Sequence, residues 1–559
     1  MPDQSWTEIA AIAQTRRAAS IPPSYLLPES LLSDLPKNLT TIPKTSRHFS
    51  TDELEIIETP AEEILVKIRE KTWTALKVTE AFCKAAAVAQ QMTNCLTEIL
   101  FPEALKQAQF LDEYLEKNGS VIGPLHGLPI SLKDSFVTPP HPSSCGLIQW
   151  ANAPTKPEEE SLLVQVVRRL GAVYYVKTNV PPGMMMMDTL NNAWGATRNP
   201  LNPALSAGGS SGGEAALIAM RGSPLGVGTD IGGSIRMPSA FNNLYGLKPS
   251  SGRFPTWHGR SAIPGQDFVR SVNGPMSRSL NMLQLYCEAV LSESVAPWTL
   301  DAKCLPIPWR KHVIQPKGRK LRVGIVGNND GLVTTHPPVE RALALTRQCL
   351  EAAGHEVFEW QPIEHPEIVK HWLATFLDVG SGPLAALLTP SGEPIYGSLK
   401  AWVAAAAQAE QGLGPTKMRM INLKRDQLQE AYLTRWQQTA NGGKGPMDCI
   451  IMAASPWAVP RLGLTAESPY FGYTAAFNLL DYPVCTFPVT FAHEKLDPKK
   501  SPGSFTPLSE IDAQIQADYD PSFYDGAPVS LQLVGGRLEE EKVLEMVGVV
   551  ADLLEKEHI

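Results

Sequence analysis

Residues 208–213 read GGSSGG and residues 228–234 read GTDIGGS, and these two glycine-rich loops decide how the chain is interpreted. Glycine tolerates positive φ and lets a ligand approach the backbone closely. Loops of this kind can direct several backbone N–H groups at one point, which suits a developing oxyanion. Ser210 and Ser234 are therefore candidate nucleophiles.

A lysine lies upstream of the two loops, in the segment GPLHGLPISLKD at residues 123–134. Lys133 ends an apolar run, and burial lowers the pKa of a lysine from its ordinary value near 10.4 by disfavouring the charged form. The adjacent Asp134 need not oppose this effect, because successive side chains of an extended segment point to opposite faces. The alternative is a surface lysine in a salt bridge.

These three segments resemble the amidase signature family of Ser–Ser–Lys amide hydrolases in residue type, order and spacing. The likeness continues through IRMPSAF at 235–241 and YGLKP at 245–249, and it reaches GAPVSLQLVG at 526–535. It therefore covers most of the chain, which is most similar to fungal acetamidase-type enzymes, with the fatty acid amide hydrolases as further relatives. One departure is Pro140, which stands where the family usually has a glycine and stiffens the adjoining pocket wall.

The resemblance implies a role for each catalytic side chain. Ser234 is expected to be the nucleophile, Lys133 the neutral general base, and Ser210, after a cis peptide bond, the proton bridge between them. For Ser210 the alternative is a hydroxyl that caps the following helix, and Ser211 fits that alternative better. Ser211 is otherwise expected to donate a supporting hydrogen bond.

The second loop is expected to bind the oxyanion of the tetrahedral intermediate. The resemblance assigns this oxyanion hole to the backbone N–H groups of Ile231, Gly232, Gly233 and Ser234. Asp230 and Arg236 are interpreted as a pair that fixes the loop rather than as proton carriers; the alternative is two unrelated surface charges. Together with Ser211, Asp230 and Arg236 are the predicted supporting residues.

An unusual PPGMMMM segment at residues 181–187 is a candidate for the substrate pocket. Methionine offers a soft, adaptable lining, so an acyl group larger than acetyl would fit there. The alternative is that these side chains fill the core. The predicted pocket residues are Met184, Met185, Met186, Met187, Trp194 and Met237.

The order of elements predicts a single α/β/α unit behind a helical arm. Apolar residues recur every three or four positions in 61–91 and 102–115, so residues 1–115 are predicted to form a helical N-terminal arm. Residues 116–559 are predicted to form the catalytic domain, because short apolar strands alternate with helices there. A mixed central β-sheet is what the resemblance adds. The predicted strands are 129–132, 172–177, 321–326, 356–360, 449–452 and 529–534, and the predicted helices are 161–170, 214–220 and one after Pro338.

Composition excludes several classes of protein. The net charge of −8 gives no support for a nucleic-acid partner. No apolar run reaches about eighteen residues, so no membrane span is expected. The eight cysteines form no CxxC pair and the eleven histidines no HExxH motif, so neither a metal nor a cofactor is expected. The N-terminus lacks a secretory signal, so we expect a cytoplasmic enzyme acting on a small-molecule amide. The oligomeric state stays open, and a homodimer is compatible with the sequence.

Three other interpretations stay open. Residues 208–212 also match G-x-S-x-G, the nucleophile elbow of α/β-hydrolases, which would acylate Ser210 and need a histidine such as His365 or His371. An elbow should follow a buried strand, and residues 202–206 are a poor strand. An amidotransferase subunit would pass ammonia to a partner, and a scaffold protein would have no catalysis. Within the hydrolases, an ester or a fatty-acyl amide is an alternative substrate.

Overall fold

A computed structural model describes residues 4–557 apart from 34, 317, 378–380, 409–413, 502 and 504. The strands are β1 Leu96–Ile99, β2 Pro129–Lys133, β3 Val173–Thr178, β4 Leu190–Asn191, β5 Gly195–Ala196, β6 Leu225–Asp230, β7 Tyr245–Lys248, β8 Val272–Ser277, β9 Arg322–Ile325, β10 Glu356–Glu359, β11 Cys449–Ala453, β12 Val484–Phe491 and β13 Pro528–Val534. The α-helices are α1 Trp6–Ala19, α2 Glu29–Ser33, α3 Ile42–Thr45, α4 Thr51–Glu58, α5 Ala61–Arg69, α6 Ala75–Thr93, α7 Phe101–Asn118, α8 Leu162–Arg169, α9 Gly212–Ala219, α10 Arg236–Phe241, α11 Leu280–Val290, α12 Pro337–Ala352, α13 His365–Thr375, α14 Ser381–Leu388, α15 Gly397–Gln408, α16 Pro415–Gln437, α17 Leu464–Glu467, α18 Gly472–Leu479, α19 Glu510–Asp518, α20 Pro521–Tyr524 and α21 Glu540–Lys556.

One large mixed sheet organises the described residues. It has 11 strands in the order β1-β3-β2-β6-β8-β7-β12-β13-β11-β9-β10. The pairs β3–β2, β2–β6, β11–β9 and β9–β10 are parallel, and the other neighbours are antiparallel. Helices flank this sheet, so the predicted α/β class with a central mixed sheet is confirmed.

Most predicted elements are present with small shifts at their ends. All six predicted strands form, as β2, β3, β9, β10, β11 and β13, and the three predicted helices form as α8, α9 and α12. The helical pattern over 61–91 forms two helices, because α5 ends at Arg69 and α6 begins after the N-cap Thr74. The Thr74 hydroxyl accepts the N–H of Lys77 at 3.0 Å, which starts a new helix.

The N-terminal segment is more than an arm. The short strand β1 pairs antiparallel with β3 and forms one edge of the sheet. The helix α6 is buried along most of its length and packs against α7, α9, β2 and β3. Helix α1 instead covers a separate small cluster with Trp194 and Ile148. Contacts of β1 and α6 therefore cross the boundary predicted at 115/116, and the division there stays a prediction.

The sheet brings two of the sequence motifs to the same edge. Lys133 ends β2 and Asp230 ends β6, and these strands are parallel neighbours. The carboxyl ends of parallel strands meet at one edge, where α/β proteins commonly bind their ligands. Helix α9, which follows the GGSSGG loop, packs against both strands. None of the described helices has the length and apolar character needed to cross a bilayer.

Candidate active site

Lys133 is fully buried at the end of β2 and contacts two hydroxyl groups. Its Nζ lies 2.7 Å from Ser210 Oγ and 2.6 Å from Thr229 Oγ1. Burial lowers the pKa of the Lys133 ammonium to about 7, although Asp230, Cys145 and Glu214 act in the opposite direction. A substantial fraction of this lysine is therefore neutral near pH 7, as a general base requires.

The neighbouring carboxylate faces away from Lys133. Asp134 lies 3.1 Å from Lys177 Nζ, and both side chains are completely buried. Asp134 also accepts hydrogen bonds from Thr97 Oγ1 at 3.0 Å and Cys145 N–H at 2.9 Å. The predicted alternation of side chains along this strand is confirmed, and it leaves Lys133 without a directly bonded carboxylate.

The first glycine-rich loop presents Ser210 to Lys133. The peptide bond between Gly209 and Ser210 is cis, as the resemblance implied. Ser211 occupies the N-cap position of α9, but its side chain makes no capping hydrogen bond. Its hydroxyl instead lies 3.4 Å from the backbone N and O atoms of Thr229, and its N–H donates to the Ser234 carbonyl at 3.1 Å. Ser211 thus links the two loops.

A buried ion pair holds the second loop. Asp230 accepts hydrogen bonds from the Arg236 guanidinium, at 3.1 Å from Nε and 3.0 Å from Nη2, and another from Asn478 Nδ2 at 2.8 Å. This pairing keeps the pKa of the Asp230 carboxyl well below its usual range despite burial. The fixed charges at this pair secure the turn that leads to Ser234.

One predicted oxyanion donor is already used. The Gly233 N–H donates to Asp230 Oδ1 at 2.9 Å, so it supports the loop. The φ of +132° at Gly233 and the nearby Thr474 Oγ1 leave no room for a side chain there. The N–H groups of Ile231, Gly232 and Ser234 donate to no acceptor within the described ranges, so these three are available to a ligand.

An apolar cavity opens beside Ser234, with a volume of about 260 Å³. Of the predicted pocket residues, Met184, Met185 and Met186 line it. Apart from these, the lining is formed by Ile231, Gly232, Ser234, Trp372, Leu373, Leu377, Gly397, Ser398, Ala401, Trp402, Glu467, Pro469 and Phe471.

The other three predicted pocket residues lie outside this lining. Trp194 is buried in the cluster under α1, where its Nε1 donates to Ser144 Oγ at 2.9 Å. Met187 is buried, and its sulfur accepts the Tyr470 N–H at 3.1 Å. Met237 is buried behind the second loop, where a Cβ on Gly233 would contact its terminal methyl group. Their apolar character reflects core packing, which sequence alone does not distinguish from a pocket wall.

The histidines required by the nucleophile-elbow alternative face other partners. His365 is buried with Nε2 at 3.2 Å from the Tyr432 hydroxyl, and His371 Nε2 lies 2.9 Å from the Ile421 carbonyl. Neither contacts Ser210. Residues 202–206 do not form a β-strand, so among the described residues no strand leads into Ser210 as a nucleophile elbow requires. No grouping of His, Cys, Asp and Glu that could hold a metal occurs in the described part of the chain.

Three residues beside the predicted site were given no role from the sequence. Thr229 contacts Lys133, Trp372 Nε1 donates to the Ile231 carbonyl at 3.1 Å, and Glu214 is completely buried below the site. Thr229 and Glu214 both lie within or directly beside the glycine-rich segments. The sequence does contain a signal for Glu214, because an acidic residue directly before the apolar stretch AALIA is unusual.

Comparisons of the sequence with known proteins identify the family of this chain. A family model described as Amidase matches residues 77–544. The chain belongs to the amidase family. It is 39% identical over 558 residues to an acetamidase of Emericella nidulans, covering 99% of this chain and 98% of that protein. An acetamidase of Aspergillus oryzae is 36% identical over 562 residues, covering 99% of this chain and all of that protein.

A solved structure supports the same family. A fatty acid amide hydrolase superposes with a TM-score of 0.91 at 31% identity, covering 99% of this amidase and 95% of that chain. The family match begins at residue 77, inside α6, so it includes β1 and the strand edge that the sequence had assigned to an arm. The family match therefore extends across the boundary predicted at 115/116.

Proposed function

We propose that this amidase hydrolyses a small-to-medium carboxamide to a carboxylate and ammonia or an amine, through an acyl-enzyme on Ser234. The observation that carries the proposal is the buried Lys133 Nζ at 2.7 Å from Ser210 Oγ, because a neutral amine in contact with a hydroxyl can withdraw a proton through it. Ser210 is the proposed bridge to Ser234, and this is supported by its neighbour Ser211, whose N–H donates to the Ser234 carbonyl at 3.1 Å.

The proposed acylation moves one proton in two hops. As Ser234 Oγ bonds to the amide carbon, its proton passes to Ser210 Oγ, and the Ser210 proton passes to Lys133 Nζ. The resulting ammonium then returns a proton through Ser210 to the amide nitrogen, so the C–N bond breaks and a neutral amine leaves. Water repeats the sequence on the ester and releases the carboxylate.

The charge on the intermediate is assigned to the loop before Ser234. The free N–H groups of Ile231, Gly232 and Ser234 are the proposed donors, and Gly233 is left out because Asp230 already accepts its N–H. Donors that are fixed before the reaction stabilise the transition state without reorganisation. The Asp230–Arg236 pair provides this fixed geometry.

The cavity favours an acyl group larger than acetyl. Its volume of about 260 Å³ exceeds the roughly 150 Å³ of an apolar cavity known to bind benzene. Methionine, tryptophan and phenylalanine side chains dominate the lining, and Glu467 is the charged side chain among them. We therefore propose an aryl or medium alkyl carboxamide. The curated relatives are named acetamidases, so acetamide is the reference substrate for comparison.

Other parts of the sequence-based interpretation stay predictions. The homodimer and the cytoplasmic location are proposals, and the eight free, buried cysteines support a reducing compartment. An ester substrate is the second candidate, because the same acyl-enzyme forms from an ester. Ammonia transfer to a partner is less favoured, since the relatives cover the whole chain and are named as amidases.

Mass spectrometry of the fluorophosphonate-treated protein tests the nucleophile, together with amine release from acetamide, hexanamide and benzamide. We expect one adduct on Ser234 that is absent in Ser234→Ala, forms slowly in Ser210→Ala and is unchanged in the control Ser251→Ala. We also expect kcat/KM to rise from acetamide to the larger amides. An adduct on Ser210 that persists in Ser234→Ala would overturn the assignment.

A further inference from the structure

Glu214 is a fully buried acid that joins the elements around Lys133. It lies in the first turn of α9, four residues after Ser210. Its Oε2 is 2.5 Å from Ser131 Oγ and its Oε1 is 2.8 Å from Thr178 Oγ1. Ser131 precedes Lys133 by two residues on β2, and Thr178 pairs in register with Lys133 on β3. One carboxyl therefore ties the Ser210 loop to both strands that place the base.

The backbone of β6 is shaped to admit this carboxyl. A Cβ added to Gly226 would lie only 1.9 Å from Glu214 Oε2. Any larger residue would push the carboxyl away from Ser131, so β6 must carry glycine at this position. Glu214 thus lies on α9, which follows Ser210, and faces β2, β3 and β6, of which β2 carries Lys133 and β6 carries Thr229.

The hydroxyl groups around Glu214 are compatible with a protonated acid. Ser131 Oγ lies 2.5 Å from Glu214 Oε2 and 3.0 Å from Ser223 Oγ, and Ser223 Oγ lies 2.8 Å from the Leu225 carbonyl oxygen. A hydroxyl has one proton to donate. A protonated Glu214 can donate to Ser131, which lets Ser131 donate to Ser223 and Ser223 donate to the Leu225 carbonyl. Among the described residues, Glu214 forms no ion pair that would favour its charged form.

The surrounding charges agree with a neutral acid. The titratable groups that face Glu214 are Lys133 on β2, Tyr175 on β3 and Cys95 before β1. Burial raises the pKa of Glu214 to about 8, and it lowers the pKa of Lys133 to about 7. Transfer of the Glu214 proton to Lys133 would create a buried ion pair and occupy the nitrogen that must accept a proton.

We propose that Glu214 is a positioning residue that acts as a neutral carboxylic acid, holding Ser210 against Lys133 while leaving Lys133 uncharged. The proposal rests on the proposed role of Lys133 as the base. A carboxylate at this position would favour the ammonium form of Lys133, whereas the acid supplies the same hydrogen bonds without that charge.

Two substitutions separate position from charge. Glu214→Gln keeps a donor and an acceptor of the same shape and has no proton to lose. We expect its kcat/KM to stay within about threefold of wild type, with the acid limb of the pH profile unchanged. Glu214→Ala removes both hydrogen bonds, and we expect kcat/KM to fall about 100-fold, the loss typical of a misplaced catalytic group.

Infrared spectroscopy in D₂O gives a readout that does not depend on activity. The wild-type minus Glu214→Gln difference spectrum at pH 7 should contain the C=O band of a protonated carboxylic acid, even if Glu214→Ala fails to fold. The matched control is Glu540→Gln, another buried acid, which accepts the Ser250 N–H at 2.8 Å and pairs with Arg253. It should lower thermal stability and leave the pH profile unchanged.

The outcomes distinguish this inference from the proposed function. A carboxylate band in place of the acid band, or a loss of more than about tenfold in folded Glu214→Gln, would overturn the role of Glu214 alone. Full amide hydrolysis by Ser234→Ala would instead overturn the acyl-enzyme proposal, whatever the charge of Glu214. Retained activity in Glu214→Ala would show that the acid does not position Ser210.

Discussion

At the scale of single residues, the pKa of Lys133 predicts the pH dependence of the enzyme. A general base acts only when it is deprotonated, and burial lowers the pKa of Lys133 to about 7. We therefore expect kcat/KM to be low under acidic conditions, to rise as the pH passes through about 7, and to level off above that value. Lys133→Met keeps the apolar stem and removes the base, so it should cost about 10²–10⁴-fold in kcat.

A second buried lysine provides the control for this prediction. Burial lowers the pKa of Lys248 to about 8, and its Nζ donates to the Phe477 and Tyr482 carbonyls. Lys248→Met should lower the melting temperature while leaving the midpoint of the pH–rate profile in place. A wild-type profile that is flat between about pH 6 and 8 would contradict a titrating lysine base.

The contacts of single residues could be predicted from the sequence where the partners are close in the chain. Asp230 and Arg236 are six residues apart, and their pairing follows from one turn and a short helix. The orientation of Asp134 follows from the alternation of an extended strand. Thr229 and Glu214 reach Lys133 and its strand from neighbouring elements, and the identity of neighbouring strands is not encoded in local periodicity. Their contacts therefore became visible only in the folded sheet.

At the scale of elements, α13 supports the proposed oxyanion loop. Its Trp372 donates from Nε1 to the Ile231 carbonyl at 3.1 Å and packs against Phe376 and Phe471. Trp372→Phe keeps an aromatic ring and removes one hydrogen bond worth about 1 kcal/mol. We expect kcat to fall about fivefold on every amide tested, because the loop proposed to stabilise the transition state becomes less fixed.

Trp402 on α15 is the control for this substitution, because it lines the same cavity. Trp402→Phe should change KM for large amides and leave kcat on acetamide close to wild type. Steady-state kinetics on acetamide and benzamide measures both variants. If Trp372→Phe changes only KM, the tryptophan acts on substrate fit rather than on the loop.

The elements predicted from a clear apolar period are present, whereas other long elements such as α16 and α21 were not predicted. The helices α8 and α12 and the strands β3 and β13 have strong apolar patterns and formed as expected. The strand β1 has four residues between two long helices, too few for its alternation to compete with the helical pattern around it. The periodicity over 61–91 did not show where one helix ends and the next begins, since the capping Thr74 interrupts an otherwise continuous apolar pattern.

At the scale of the whole molecule, the placement of β1 and α6 makes the N-terminal region part of the core. The α/β alternation predicted the layered architecture, and the resemblance supplied the mixed sheet. The division at residue 115 followed from composition, because a helix-rich segment without chemical motifs looks like an appendage. Yet α6 packs on α9, the helix that begins at the Ser210 loop, so the region supports the proposed site directly.

Two truncated chains test whether the N-terminal region is an arm or part of the core. Removal of residues 1–20 takes away α1, its small cluster with Trp194 and the Arg16–Glu98 ion pair at 2.6 Å. We expect this chain to fold cooperatively with a modestly lower melting temperature and to keep most of its activity. Removal of residues 1–115 also deletes β1 and α6, which uncovers the edge of β3 and the apolar face of α9.

An uncovered edge strand pairs with other chains, so we expect the 116–559 chain to aggregate or remain unfolded. Circular dichroism melts and size-exclusion chromatography of both chains, measured beside the full-length amidase, give the answer. A 116–559 chain that melts cooperatively and releases amine from an amide would restore the arm as a separate unit. Loss of folding in both chains would instead mean that the cluster under α1 is essential to the fold, because that cluster is the part they lose in common.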